Sequence, residues 1–418
     1  MLSPFRALRP DPSVAGDLAG LTSPPYDVLD DGAVADLEAV SDWNVVRLIL
    51  PRDEPDAGRD RYAAAAVRLA AWREAGVLRP DPEPALYVYE QADPAGGHAQ
   101  RGLLGALHLS PPEDGIVLPH ESTMAGPVAD RLALYDAVGA DLEPIFLVYD
   151  GGGAAADAVA AADTGTPLVD ADLPDGLRHR LWALTDRDAL EAVAADLLPR
   201  TALIADGHHR YATYLRRQAD HHAAGHGRGP WDAGLCLLVD ATSFGPQVHP
   251  IHRVVPGVPA AVLARRTAAA AAVAPVAGGV TEALRALGLA RRAGPAFVLA
   301  DRDSVHLVSQ LDADRLDAAL PADRSPAWRA LDVTVLHRFL VPELWGLPDD
   351  EETVGFEHDV EAALRRADAT SGTAVLLGPT PVESVAAVAA AGERMPRKST
   401  LFTPKPRSGL VLRDHRDA

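Results

Sequence analysis

The stretch Leu203–Tyr214, LIADGHHRYATY, joins a short apolar run to a glycine turn crowded with charge and then to a helix-like continuation. Thr201 to Ala205 read as a buried strand, Asp206 and Gly207 as the turn, and His208 onward as a helix. The first amides of a helix have no intrahelical acceptors, so such a start attracts an anion. Here it also carries two imidazoles and the guanidinium of Arg210. An ordinary solvated turn fits the same letters, because strand, glycine and helix recur throughout α/β proteins. The rest of the chain has to decide.

At 418 residues the chain is long enough for two or three ordinary domains, and its 48% hydrophobic residues suffice for packed cores. A formal charge of −20 argues against broad binding to nucleic acid or anionic membranes, which reward clustered Lys and Arg. Any anion site is therefore local. The single cysteine, Cys236, lies in the apolar run AGLCLLVD; it can form no intrachain disulfide, suits a reducing compartment and reads as a buried core residue. The opening MLSPFRALRP lacks a basic start followed by a long apolar core, and no run of about 18 apolar residues occurs. The expectation is a soluble cytoplasmic protein with no membrane or nucleic-acid partner.

Working outward from the motif, SPPYDVL at Ser23–Leu29 is a proline-fixed turn that either seats Tyr26 on a core or brings Tyr26 and Asp27 to a site. Asn44–Leu50 is predicted as a strand, Arg59–Val77 as an amphipathic helix, and Ala85–Gln91 with Arg101–Ser110 as a hairpin. VLPHEST, Val117–Thr123, precedes a helix from about Val128 to Val138 and the apolar strand EPIFLVYD, Glu143–Asp150. Glu121 directly before a helix suits a cap as well as a base. Gly151–Asp175 reads as a surface excursion, Leu181–Leu184 as a strand and Arg187–Leu198 as a helix. The histidines of HHAAGHGRGP, His221–Pro230, lack the spacing of a structural zinc site.

Strands are expected at Ala233–Val239 and around Val248–Val255. Residues 256–321 follow as a sub-domain with a long alanine-rich helix, a helix at Thr281–Leu289 and two strands; Ala330–Trp345 reads as one amphipathic helix. This gives three regions: 1–255, 256–321, and 322–418 returning to the first. Near the end, RMPRKST and PKPRSGL put Arg394, Arg397, Lys398, Lys405 and Arg407 within 14 positions, beside Ser399, Thr400 and Ser408. In so acidic a chain that is a candidate phosphate clamp; an exposed basic tail is the plainer alternative.

SPPYDV (Ser23–Val28), HEST (His120–Thr123), Asp130–Arg131, ADGHHRYAT (Ala205–Thr213) and KSTLFTPKPRSGL (Lys398–Leu410) together resemble the domain-of-unknown-function family 1015, in that family's order and over nearly the whole chain. A second resemblance covers Val117–Tyr214, where PHE, a helix, a PI-containing strand and DGHHR are similar to the ParB and sulfiredoxin superfamily. It implies a glutamate near nucleotide phosphates and a glycine-to-arginine turn that holds them. Free-serine kinases of that superfamily carry a turn much like ADGHHR, which implies Glu121 as the base that activates a serine hydroxyl. The insertion from Gly151 to about Leu198 departs from the compact members.

The expected fold is therefore α/β, with α+β as the alternative: a mixed sheet with flanking helices, a ParB/sulfiredoxin-like nucleotide-binding core and large insertions. The expected activity is transfer of a phosphoryl group from ATP or ADP, with Mg²⁺, to a small hydroxylated metabolite, free L-serine being the guess drawn from the resemblance. A nucleotide- or phosphate-binding regulator and a phosphate-ester hydrolase are the alternatives. Neither a Walker sequence nor a protein-kinase signature set is present. Candidate catalytic residues are His120, Glu121, Asp206, His208 and His209. Candidate nucleotide-binding residues are Arg131, Gly207, His208, His209, Arg210, Lys398, Ser399, Thr400, Lys405 and Arg407, with Asp206 also a candidate Mg²⁺ ligand.

Overall fold

The computed structural model describes residues 1–417. They divide into two compact units, 1–246 with 404–417, and 247–403. The boundaries read from the sequence, at 255/256 and 321/322, do not coincide with this division.

The first unit is built on a nine-stranded mixed sheet. Its strands are β1 (Leu2–Ser3), β2 (Leu86–Ala92), β3 (Ala99–His108), β4 (Val117–Leu118), β5 (Ile145–Tyr149), β6 (Val169–Asp172), β7 (Arg178–Leu184), β8 (Ala202–Asp206) and β9 (Ala233–Asp240). They lie in the order β4-β8-β5-β9-β3-β2-β7-β6, with β1 on β3. β8 is parallel to β4 and β9 to β5; the other pairs are antiparallel. β5 and nearly all of β9 are buried along their length, which is why they read as unbroken apolar runs rather than as alternation. Helices α1 (Arg61–Glu74), α2 (Ala125–Val138), α3 (Gly153–Ala161), α4 (Arg187–Leu197) and α5 (His208–Ala223) flank this sheet. One core joins Leu69 and Trp72 of α1, Leu134 and Tyr135 of α2, Val193 and Leu197 of α4, and Tyr211 and Tyr214 of α5 to the sheet. Cys236 is buried within it.

Two local expectations in this unit are corrected. Asn44–Leu50 is not a strand: Asn44 Oδ1 accepts the Val46 amide at 2.9 Å and starts a helical turn over Val46–Ile49. Gly151–Asp175 is not an excursion but holds α3 and β6, and α3 packs on α4.

The second unit is a six-stranded antiparallel sheet of β10 (His252–Val255), β11 (Ala272–Pro275), β12 (Phe297–Ala300), β13 (Val305–Ser309), β14 (Gly355–Glu357) and β15 (Thr373–Leu376). The order is β11-β13-β12-β15-β10-β14. Residues 256–321 thus supply three strands, of which β12 pairs with β15 from beyond that region. The alanine-rich stretch ends its helix at Thr267 and resumes as β11. Ala330–Trp345 is not one α-helix: Asp332–Val335 continues as a π-helix over Leu336–Leu344. Pro342 inside that stretch has no N–H to give, and the Trp345 amide reaches the Leu340 carbonyl five residues back. The two ends of the unit are paired: Gln247–His249 runs antiparallel to Leu401–Thr403. Among the described residues no helix is long and apolar enough to cross a membrane.

Candidate functional site

The site in the first unit forms where β8 ends. Pairing between β8 and β5 shifts register between Ile204 and Asp206, so that Asp206 stands opposite Phe146. Such a bulge re-aims the side chain that follows it. Gly207 comes next with φ +93° and is the N-cap of the 16-residue α5. A Cβ there would be strained by the backbone sign and would crowd Arg210 Nε at 3.1 Å, which is why glycine suits the position. With no side chain at the cap, the first turn of α5 presents its positive end toward whatever lies before it.

Glu121 lies beside that turn. Its carboxylate is 41% exposed, with Oε2 3.7 Å from His208 Nδ1 and Oε1 4.0 Å from His120 Nε2. The rings of His120 and His208 meet edge to face, centroids 4.6 Å apart. The His120 amide donates to His208 Nε2 at 3.3 Å, and the Met124 amide donates to His209 Nε2 at 3.1 Å. In both rings Nε2 accepts a backbone N–H group. Burial lowers the His209 pKa, which favours the neutral ring.

Arg210 is fully buried. Its Nη2 binds Asp206 Oδ2 at 2.5 Å and its Nη1 donates to the Pro144 carbonyl. Burial opposes its charge, but Asp206, Glu143 and Asp27 hold its pKa above the ordinary value. Lys405 Nζ lies 2.6 Å from Asp206 Oδ1 and 2.7 Å from Asp27 Oδ2. Burial again opposes the charge, and the two carboxylates raise the Lys405 pKa. Asp27 answers in the other direction: against its burial, Lys405 and Arg210 lower its pKa.

The ends of the chain are stitched together behind this pair. Ser23 and Ser408 exchange backbone hydrogen bonds, and the carbonyls of Pro404 and Lys405 accept from Gln100 and Gln91. Arg407 donates to Thr22 Oγ1 at 2.8 Å and lies 3.5 Å from Asp175. Beneath lies Glu143, which the sequence reading passed over. It is wholly buried, and Oε1 accepts the Tyr26 amide and the Ser408 hydroxyl, each at 3.0 Å. Oε2 has no hydrogen bond and is 4.0 Å from Arg131 Nη1; burial raises the pKa of this carboxyl. Arg131 is itself buried, bound to Asp130 and to the Ile49 carbonyl, and it stacks on Tyr26 at 4.4 Å. The proline turn before Tyr26 was the one signal pointing here; a glutamate opening an apolar strand carries none.

A family model matches residues 2–334. The chain belongs to the family described as Protein of unknown function (DUF1015). No curated protein matches the sequence. Among solved structures, this DUF1015 chain is similar to a variant of a free serine kinase in complex with ADP, at 15% identity over 74% of this chain and 91% of that one, with a TM-score of 0.36. A conserved hypothetical protein from Pyrococcus furiosus matches at 12% identity over 77% and 99%, with a TM-score of 0.33. SbnI with C-terminal truncation from Staphylococcus aureus matches at 10% over 74% and 87%, with a TM-score of 0.35.

Within the DUF1015 chain the predicted residues fall into two sets. His120, Glu121, Arg131, Asp206, Gly207, His208, His209, Arg210, Lys405 and Arg407 all belong to the first unit, whereas Lys398, Ser399 and Thr400 belong to the second. There Lys398 has φ +53°, the Ser399 hydroxyl donates to the Pro396 carbonyl, and Arg397 pairs with Glu351. A Mg²⁺ ion does not fit Asp206: one oxygen is taken by Arg210 and the other by Lys405. No group of three or more metal-ligating side chains occurs among the described residues.

Proposed function

We propose that this protein transfers a phosphoryl group from ATP or ADP to the hydroxyl of a small metabolite, with L-serine as the first acceptor to try. One observation carries the reading: an accessible carboxylate, Glu121, stands between two imidazoles at the start of a 16-residue helix with a glycine cap. Phosphoryl transfer asks for few parts: a cradle for phosphates, fixed positive charge, and a base for the acceptor. The α5 terminus supplies the cradle and Lys405, paired to Asp206 just before that helix and 17% exposed, a partly accessible cation. In the step itself, Glu121 takes the hydroxyl proton as the acceptor oxygen bonds to the terminal phosphorus. The bond from that phosphorus to the bridging oxygen breaks, and the nucleotide leaves one phosphate shorter.

The test mixes the full chain with Mg-ATP or Mg-ADP and hydroxylated metabolites that include L-serine, following phosphorus-31 resonances and product mass. A phosphorylated alcohol is expected, and Glu121→Gln should reduce kcat about 100-fold or more while nucleotide still binds. Nucleotide binding without any product would favour a regulatory protein. Phosphate released without an acceptor would favour a hydrolase.

A further inference from the structure

We propose that His208 and His209 act as neutral imidazole acceptors that clamp the segment Pro119–Met124, and with it Glu121, onto the first turn of α5. The clamp stands on geometry alone; only the naming of Glu121 as the base rests on the function proposed above.

A backbone N–H can only donate, so the His120 amide at 3.3 Å from His208 Nε2 requires that nitrogen to be bare. The Met124 amide at 3.1 Å requires the same of His209 Nε2. Each neutral ring then carries its proton on Nδ1, and for His208 that atom faces Glu121 Oε2 at 3.7 Å. The groups around His208 include Glu121 and the edge-on ring of His120; those acting on His209 include Asp27, Arg210 and Asp206.

The spacing of the motif fits this role. Two histidines meant for one metal or phosphate stand three or four apart, on one helix face. Neighbours fan out by about 100°. That divergence lets two adjacent rings catch amides four residues apart in one loop. The far end of the loop is the exposed Met124, the N-cap of α2, whose carbonyl accepts the Val128 amide at 3.4 Å. Thr213, one turn along α5, donates back to the His209 carbonyl at 2.8 Å, with the Val128 carbonyl of α2 at 3.3 Å.

Amide exchange of the full-length protein tests the clamp without reference to activity. His208→Leu should speed exchange of the His120 amide and His209→Leu that of the Met124 amide, each about tenfold, the loss of one hydrogen bond. His208→Gln and His209→Gln, which put an amide oxygen near the Nε2 position, should stay within about threefold of the parent. Nitrogen-15 spectra of the unaltered protein at neutral pH should show both rings neutral with Nε2 unprotonated. If product formation is found, glutamine should restore kcat that leucine loses, with the nucleotide KM little changed in either. Imidazolium spectra, unchanged exchange in the leucine variants, or glutamine variants as impaired as leucine would each overturn the clamp. Should no alcohol be phosphorylated while exchange follows the stated pattern, the clamp stands and the kinase reading falls.

Discussion

Arg210 shows what a buried cation does in this protein. It was the natural phosphate ligand in a glycine turn, yet its guanidinium is spent on Asp206 and the Pro144 carbonyl and retains 1% of its exposure. Removing it takes from Asp206 one of its two cations, Lys405 remaining, and leaves the buried Pro144 carbonyl without its donor, at a cost on the order of 3 kcal/mol. Arg210→Ala is therefore expected to lower the unfolding free energy by that amount in urea titrations; a change below about 1 kcal/mol would contradict the burial described. Gly207→Ala should cost about 1–2 kcal/mol, because an alanine at φ +93° meets both the left-handed penalty and the Arg210 side chain. Neither effect could be read from the letters, since the motif gives the same string for an arginine turned outward or inward.

At the scale of elements, the short strand Arg413–Asp414 pairs with Ala140–Asp141 and is held by charge. Asp141 is fully buried; His415 Nε2 lies 2.8 Å from one oxygen and Arg413 Nη1 2.9 Å from the other. Burial works against the carboxylate, but His415 and Arg413 prevail and lower its pKa to about 2. A depressed folded-state pKa stabilises above the unfolded value of 3.8, and that stabilisation is lost as pH falls from there toward 2. It is on the order of 2 kcal/mol. Guanidine titrations between about pH 1 and 5 should show a steeper loss of stability in the parent than in Asp141→Asn (both limits about one unit outside the two pKa values). Equal slopes would mean that the tail strand is not anchored this way.

Elements also show where sequence reading succeeds. The runs at β5, β8 and β9 are apolar enough to be strands in any context, and α5 follows from a glycine with helical spacing behind it. Asn44–Leu50 failed because its β-branched residues favour a strand, whereas a local side-chain hydrogen bond from Asn44 decides the turn. The Ala330–Trp345 helix was legible as a helix but not as a π-helix, because its widened turns depend on where the proline lands in three dimensions. Of the site, Glu121 and the DGHHR turn were legible. Glu143 was not, since its importance comes from two segments, around Tyr26 and Ser408, that meet only in the folded chain.

The whole molecule is an interrupted unit with a second unit inside its sequence. Residues 247–403 begin and end on the same antiparallel pair, Gln247–His249 with Leu401–Thr403, and carry a core of their own around Val254, Val298 and Leu376. Produced alone, this segment is expected to unfold cooperatively with heat, followed by circular dichroism; a gradual, featureless melt would show that it lacks independent stability. Cys236 reports on the other unit. Its thiol is buried in the sheet and burial drives its pKa upward, so a thiol reagent should modify the native protein far more slowly than the unfolded chain. Modification at comparable rates would place Cys236 outside the core.

The interruption also sets an order of events during synthesis. The first 246 residues emerge with Asp27, Asp206 and Glu143 in place, but Lys405 and Ser408 follow only after a further stretch of roughly 160 residues. At about 5–20 residues per second, that is a wait of roughly ten to thirty seconds. Through that interval Arg210 is the cation at hand for Asp206, and the charge network stays open until the final segment leaves the ribosome.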